Sequence, residues 1–177
     1  MLKHRWPTAL GIAVATLTAF DLEVDVRFVS FLSALTVLMA LVYLGAAVLN
    51  RRWSAWVVLL AGMPVAFFLP STSGAGPSVV LLVAALVFLV LGVARGQLRR
   101  PGGLTLQAAG MLGFGAIALA ALYADTVLGG YLVAAALLGH AVWDAVHYLR
   151  NRVVARSYAE FCAVVDLLLG VAILFMT

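Results

Sequence analysis

The sequence predicts an all-α polytopic membrane protein, a bundle of seven transmembrane helices with a cytoplasmic N-terminus and an extracytoplasmic C-terminus. Three observations lead there. Of 177 residues, 66% are hydrophobic and 10% are charged, and the mean hydropathy is +1.15. Soluble domains are about half apolar and about a quarter charged, and a soluble fold of this size could not hide so much apolar surface. Second, the apolar residues fall into runs near the ~20 residues that cross a bilayer. Third, the connections alternate in charge. Lys3, Arg5, Arg51, Arg52, Arg95, Arg99, Arg100, Arg150, Arg152 and Arg156 fall on one side, and only Arg27 falls opposite, with Asp21, Glu23, Asp25 and Asp125. The positive-inside rule puts the basic side in the cytoplasm of a multi-pass inner-membrane protein.

Each element follows from local signals. Residues 6–20 form the first and shortest candidate. The basic start (Lys3, His4, Arg5) before an apolar run also fits a secretory signal peptide, and the segment is read as a helix. Residues 28–50 run from the acidic connection to Arg51 and Arg52. Residues 53–69 open on Trp53 and Trp56. The uncharged stretch STSGAGPS (71–78) is rich in turn formers and leads into the helix at 78–93. In RGQLRRPGG, the longest cytoplasmic connection, Pro101 ends any helix. Residues 104–123 carry Gly110, Gly113 and Gly115, small residues that let helices approach closely. Residues 127–149 and 158–176 form the last hairpin. Trp6, Trp53, Trp56, Tyr148 and Tyr158 at the basic ends form an interfacial aromatic belt. Residues 1–177 read as one transmembrane domain.

Several classes are excluded. A β-barrel would alternate polar and apolar residues, whereas these segments are apolar all round, and in lipid only a helix then satisfies the backbone. The net charge of +4 is accounted for by topology and implies no nucleic-acid partner. Cys162 is the sole cysteine, so there is no disulfide framework and no Cys-based zinc site. A retinal Schiff base needs a mid-helix lysine, and Lys3 is the only lysine. The membrane histidines share one helix, which disfavours a haem held across helices. GMLGFG lies inside an apolar helix with no preceding strand, so it is no phosphate cradle.

Chemistry concentrates in GHAVWDAVHYLRNRVVARSYAEFCAVVD, residues 139–166. His140, Asp144 and His147 stand at i, i+4 and i+7, which places them on one helix face. Folding the last two helices into a hairpin about Val153 puts His140 and Asp166 at equal depth near mid-bilayer, since each lies thirteen positions from the turn. Asp144 comes level with Cys162, and His147 with Tyr158 to Glu160. Glu160, one turn from Arg156, reads as half of a simple ion pair. Glu160 and Asp166 point about 120° apart, so they do not both face His140.

An ionisable side chain at the bilayer centre costs about 2.5–3.5 kcal/mol on insertion scales and marks a functional site by default. Three readings follow. The leading one is a small intramembrane enzyme, metal-assisted, acting on a lipid or isoprenoid-like substrate. Asp144, Asp166 and His147 are its candidate catalytic residues, and His140, Asp144 and Asp166 its candidate metal ligands. Such a donor set takes Zn²⁺ or Fe²⁺, and an open position would activate water for hydrolysis. His140 and His147 are about 10.5 Å apart along the axis, too far for one ion to hold both easily. The second reading is a proton-coupled transporter or channel using the His/Asp ladder, although helices two to five are poor in polar groups. The third is an assembly or structural subunit, for which membrane hydrogen bonds averaging about 0.6 kcal/mol give a weak motive. In architecture alone, seven helices with intramembrane His and Asp resemble the membrane ceramidase and receptor-hydrolase superfamily. The serine–histidine pairing expected on an early helix of that superfamily is absent from this sequence. The expected partners are membrane lipids and a lipid-like small molecule. Nothing in the sequence sets an oligomeric state.

Overall fold

The computed structural model describes residues 5–19, 25–69, 76–99 and 103–177. Lys3, His4, Asp21, Glu23, Arg100, Pro101 and most of the 71–78 loop lie outside the described residues. The described chain is all helical: α1 (Trp6–Ala19), α2 (Val26–Leu49), α3 (Ser54–Phe68), α4 (Gly76–Ala94), α5 (Leu104–Tyr123), α6 (Thr126–Arg150) and α7 (Arg156–Met176), with a short 3-10 helix at Gln97–Arg99. Five of these are long and apolar enough to cross a membrane, and α1 and α3 are shorter apolar helices. At 1.5 Å per residue the two short ones span roughly 20 Å, less than the ~30 Å hydrocarbon core.

Helix ends explain part of the charge pattern. The Asp25 carboxylate accepts from Phe28 N at 2.7 Å and caps α2, and Asp125 accepts from Leu128 N at 3.0 Å and caps α6. Each places negative charge at the positive end of a helix dipole. Both helices therefore begin earlier than the apolar runs alone indicate. α4 likewise begins at Gly76 with Pro77 in its first turn, where proline lacks no needed donor.

The core is a helix rather than a seam. α2 sits in the middle, 89% of its most apolar stretch being buried, and α3, α4, α5 and α6 pack around it. α7 and α1 extend the bundle beyond α6. An outer helix such as α4 turns Ser78, Leu81, Ala85 and Gly92 inward. Its Val79, Val83, Leu86 and Val90 face outward, which suits a lipid surround.

Small residues set the close approaches. A side chain at Gly110 would meet the Trp143 ring at 2.9 Å, and one at Gly115 would meet Leu82 at 3.3 Å. Gly113 faces open space, so only two of the three α5 glycines pack. Gly170 matters more for the site, because a Cβ there would stand 2.9 Å from Leu138 and 3.3 Å from Ala134 O. That contact holds α6 against α7.

Two turns end in left-handed asparagines, Asn50 (φ 53°) after α2 and Asn151 (φ 48°) after α6. Asparagine tolerates this conformation. Val153 does not, yet it has φ 68°, and Val154 N donates to Arg152 O across it at 2.8 Å. A β-branched residue in this region carries strain of about 1–3 kcal/mol. Ala155 N donates to Arg52 O at 3.1 Å and ties the two turns together.

The aromatic belt is only partly interfacial. Trp6 and Trp53 are about half exposed, whereas Tyr158 is fully buried against Tyr43 and Trp56. α2 and α3 cover Tyr158, so its ring faces the bundle interior rather than the outer surface.

Gly170→Val should lower unfolding stability in bicelles by about 1–3 kcal/mol through overpacking. Gly113→Ala should change it by no more than about 0.5 kcal/mol. Equal effects of the two substitutions would contradict this packing.

Candidate functional site

The inward stripe of α6 is small or aliphatic at Val133, Ala134 and Leu137, then turns polar at His140, Asp144 and His147. α7 presents Asp166 from the opposite side, between Val165 and the close-packed Gly170 turn. The two helices meet with His140 Nδ1 2.8 Å from Asp166 Oδ2 and 3.3 Å from Asp144 Oδ2. All three residues are 0% exposed.

α2 supplies the fourth member. Tyr43 donates its hydroxyl to Asp144 Oδ1 at 2.5 Å, and its ring stands edge-on to His140, His147, Trp143 and Tyr158. Phe114 of α5 covers His140 at 4.9 Å between ring centres. A continuous polar chain therefore runs Tyr43–Asp144–His140–Asp166 inside an aromatic and aliphatic wall.

His147 belongs to a neighbouring unit. Its Nδ1 lies 2.8 Å from Trp143 O, and Gln107 Nε2 lies 3.1 Å from its Nε2. A carbonyl only accepts and an amide NH₂ only donates. The carbonyl contact requires a proton on Nδ1, and the two contacts together occupy both ring nitrogens. His147 touches the main cluster through its ring, 4.7 Å from that of Tyr43.

The donor geometry suits a single cation. One donor atom from each of His140, Asp144 and Asp166 lies within 4.8 Å of the others. Zinc–ligand bonds of ~2.0–2.2 Å in a tetrahedral site set donors about 3.3 Å apart, the His140–Asp144 separation, whereas the hydrogen-bonded His140–Asp166 pair at 2.8 Å would have to open to admit an ion. Three buried atoms of the cluster keep no hydrogen-bond partner among the described residues: His140 Nε2, Asp144 Oδ2 and Asp166 Oδ1. Buried polar atoms of this kind call for a proton or a ligand. Two carboxylates and an imidazole reach neutrality with two shared protons, or with one divalent cation in place of both.

Glu160 stands apart. The Thr8 hydroxyl donates to it, and Arg5 lies 3.6 Å away. Its partners lie at the start of α1 and just before it, and Arg156 is not among them: it donates to Tyr148 O at 3.2 Å and stacks over the Tyr148 ring. The expected ion pair exists with a different arginine, because α7 turns this face toward α1. Cys162 is buried in the same layer as Asp144.

The cluster is sealed, but its basic end is not. An open cavity of about 310 Å³ is lined by His147, Arg150, Arg152, Val153 and Leu106. It brings solvent to the side chain that abuts Tyr43.

Tyr43 and Gln107 are two of the few polar groups on helices two to five. A depth count would have found both. Tyr43 lies seven residues before Asn50, and Asp144 lies seven before Asn151. Gln107 and His147 lie equally near the basic ends of their helices. No protein-family model, curated protein or solved structure matches this chain, so the site is read from its own geometry.

His140→Leu alone should lower stability by about 3–5 kcal/mol, because it leaves two buried carboxylates without their partner. Adding Asp144→Leu, Asp166→Leu and Tyr43→Phe should restore most of that loss. Chemical unfolding in bicelles checks both. A single variant as stable as the parent would contradict the network.

Proposed function

We propose that the chain crosses the cytoplasmic membrane seven times, with the N-terminus inside and the C-terminus outside, and acts as a small integral membrane enzyme on a lipid or isoprenoid-like substrate. The observation that carries this is the buried His140–Asp144–Asp166 centre, coupled through Tyr43 to the His147 cavity at the basic end. The expense of burying two carboxylates in lipid favours a functional role over a purely structural one.

His140, Asp144 and Asp166 hold a divalent ion, zinc or iron, in this reading. Bound there, the ion supplies Lewis-acid activation of a substrate oxygen or of water. The chain does the rest. Tyr43 orients Asp144 through its short hydrogen bond. Phe114, Trp143 and Tyr158 exclude bulk water. Asp144 and Asp166 would hold the ion with His140, and either carboxylate could accept a proton from the substrate. His147, at the cavity wall, packs its ring on Tyr43 and would have to release Gln107 to carry a proton between that centre and solvent. Apolar walls suit a substrate chain arriving from the bilayer.

Elemental analysis of purified protein loaded with Zn²⁺ or Fe²⁺ should find about one ion per chain, lost on Asp144→Ala. Incubation with membrane lipid extracts should convert a lipid species in a way that Asp166→Asn abolishes. Protein that folds normally, takes up no ion and leaves every lipid unchanged would overturn the reading. Proton flux into liposomes that Asp144→Asn abolishes would assign the same cluster to a proton-coupled transporter instead.

A further inference from the structure

A second cavity, of about 390 Å³, opens at the same basic end between the α2–α3 turn and the α6–α7 turn. Arg51, Arg52 and Arg152 line it, with Asn50, Gln97 and Leu104, and no acidic residue is among its lining residues. None of these arginines has an ion-pair partner among the described residues, where the only arginine salt bridge joins Arg5 to Glu160. Three like charges around one space repel one another unless an anion joins them.

The backbone adds to that demand. α5 starts at this cavity, with Gly103 as its N-cap and no side-chain cap bond. The first turn of this 20-residue helix therefore brings its positive dipole end to the cavity with no capping side chain among the described residues. The carboxyl ends of α2 and α6 also lie here, but each carries only about half a negative charge, which three guanidinium groups exceed. Gln97 is buried, donates to Val48 O at 3.1 Å, and keeps its Oε1 unpartnered in the cavity wall.

A separate apolar cleft lies next along α5, with the buried Leu104 and Val48 side chains packed on Gly92 between it and the basic cavity. Leu104 lines the cavity, and Ala108, one turn further along α5, begins a cleft of about 270 Å³ between α2, α4 and α5. Leu44, Leu82, Leu89, Met111 and Gly115 are among its walls. From Ala108 to Leu119 it runs about 16 Å, close to half of the ~30 Å hydrocarbon core, the length available to one chain in one leaflet. The cavity also shares Arg152 and Val153 with the His147 cavity, so a headgroup there lies beside the route to the buried centre.

We propose that this composite site binds a phosphate-bearing lipid, its phosphate held by Arg51, Arg52, Arg152 and the start of α5, and one hydrocarbon chain lying in the α2–α4–α5 cleft. Arginine suits the role because its planar fork matches phosphate oxygens in pairs. As the substrate class of the enzyme, the proposal rests on the function proposed above. As a binding site it stands alone.

The test measures binding of dioleoyl phosphatidate to full-length protein in detergent micelles by native mass spectrometry. Inorganic phosphate and dioleoylglycerol serve as competitors, and thermal unfolding checks that each variant folds. Arg51→Gln with Arg152→Gln should weaken phosphatidate binding by about ten-fold or more, as expected for loss of paired charge-assisted bonds. Arg95→Gln removes a basic residue that lines neither cavity and should leave affinity within about two-fold. Ala108→Phe should weaken phosphatidate binding without affecting inorganic phosphate. Dioleoylglycerol should compete poorly.

Unchanged affinity in the double arginine variant, an equal loss with Arg95→Gln, or equal competition by dioleoylglycerol would overturn the site. Inorganic phosphate binding as tightly as phosphatidate, with Ala108→Phe silent, would make the occupant a soluble phosphate and overturn the lipid. Binding that follows the expected pattern while no lipid is converted would retain this site and remove the enzyme. Lipid conversion that survives the loss of phosphatidate binding would do the reverse.

Discussion

The meeting of His140 with Asp144 and Asp166 is the constraint around which the bundle is organised. Lipid offers no solvation to a carboxylate, so α6 and α7 must bring their ionisable groups together or leave each to its full insertion penalty. The close contact at Gly170, one turn from Asp166, makes the meeting possible. α2 then has to supply a donor for Asp144, and Tyr43 does so from the most buried helix of the fold. Aromatic rings fill the space around these groups, where water would otherwise weaken every interaction.

The same arrangement divides the membrane halves. Below His140, toward the basic end, polar groups follow one another: Asp144 with Tyr43, His147 with Gln107, then Arg150 and Arg152 at an open cavity. Above Asp166 the inward face of α7 is Leu169, Gly170 and Ile173. Among the described residues the polar groups of the site are therefore one-sided along the bundle. The strained Val153 lies where the two basic cavities meet.

Much of this was legible in the residues because membrane helices obey simple rules. Apolar runs located the helices, and the i, i+4, i+7 spacing put His140, Asp144 and His147 on one face. Counting from Val153 brought His140 level with Asp166, and they lie within hydrogen-bond distance. What counting along a hairpin does not give is rotation of distant helices about their axes. Glu160 therefore pairs with Arg5, just before α1, rather than with Arg156, and Tyr158 turns inward. Tyr43 and Gln107 joined the site through helices far away in sequence, whose neighbours only the folded bundle reveals. Asp25 and Asp125 read as topology signals, yet their local role is to cap helices.

The most direct test of the central interaction is nitrogen-15 NMR of histidine-labelled, metal-free protein in lipid bilayers. The account predicts a His140 Nδ1 proton in a strong hydrogen bond, slow to exchange with deuterated water, whose resonance moves on Asp166→Asn. A His140 ring that exchanges as fast as a solvent-exposed imidazole, and is indifferent to that substitution, would contradict it.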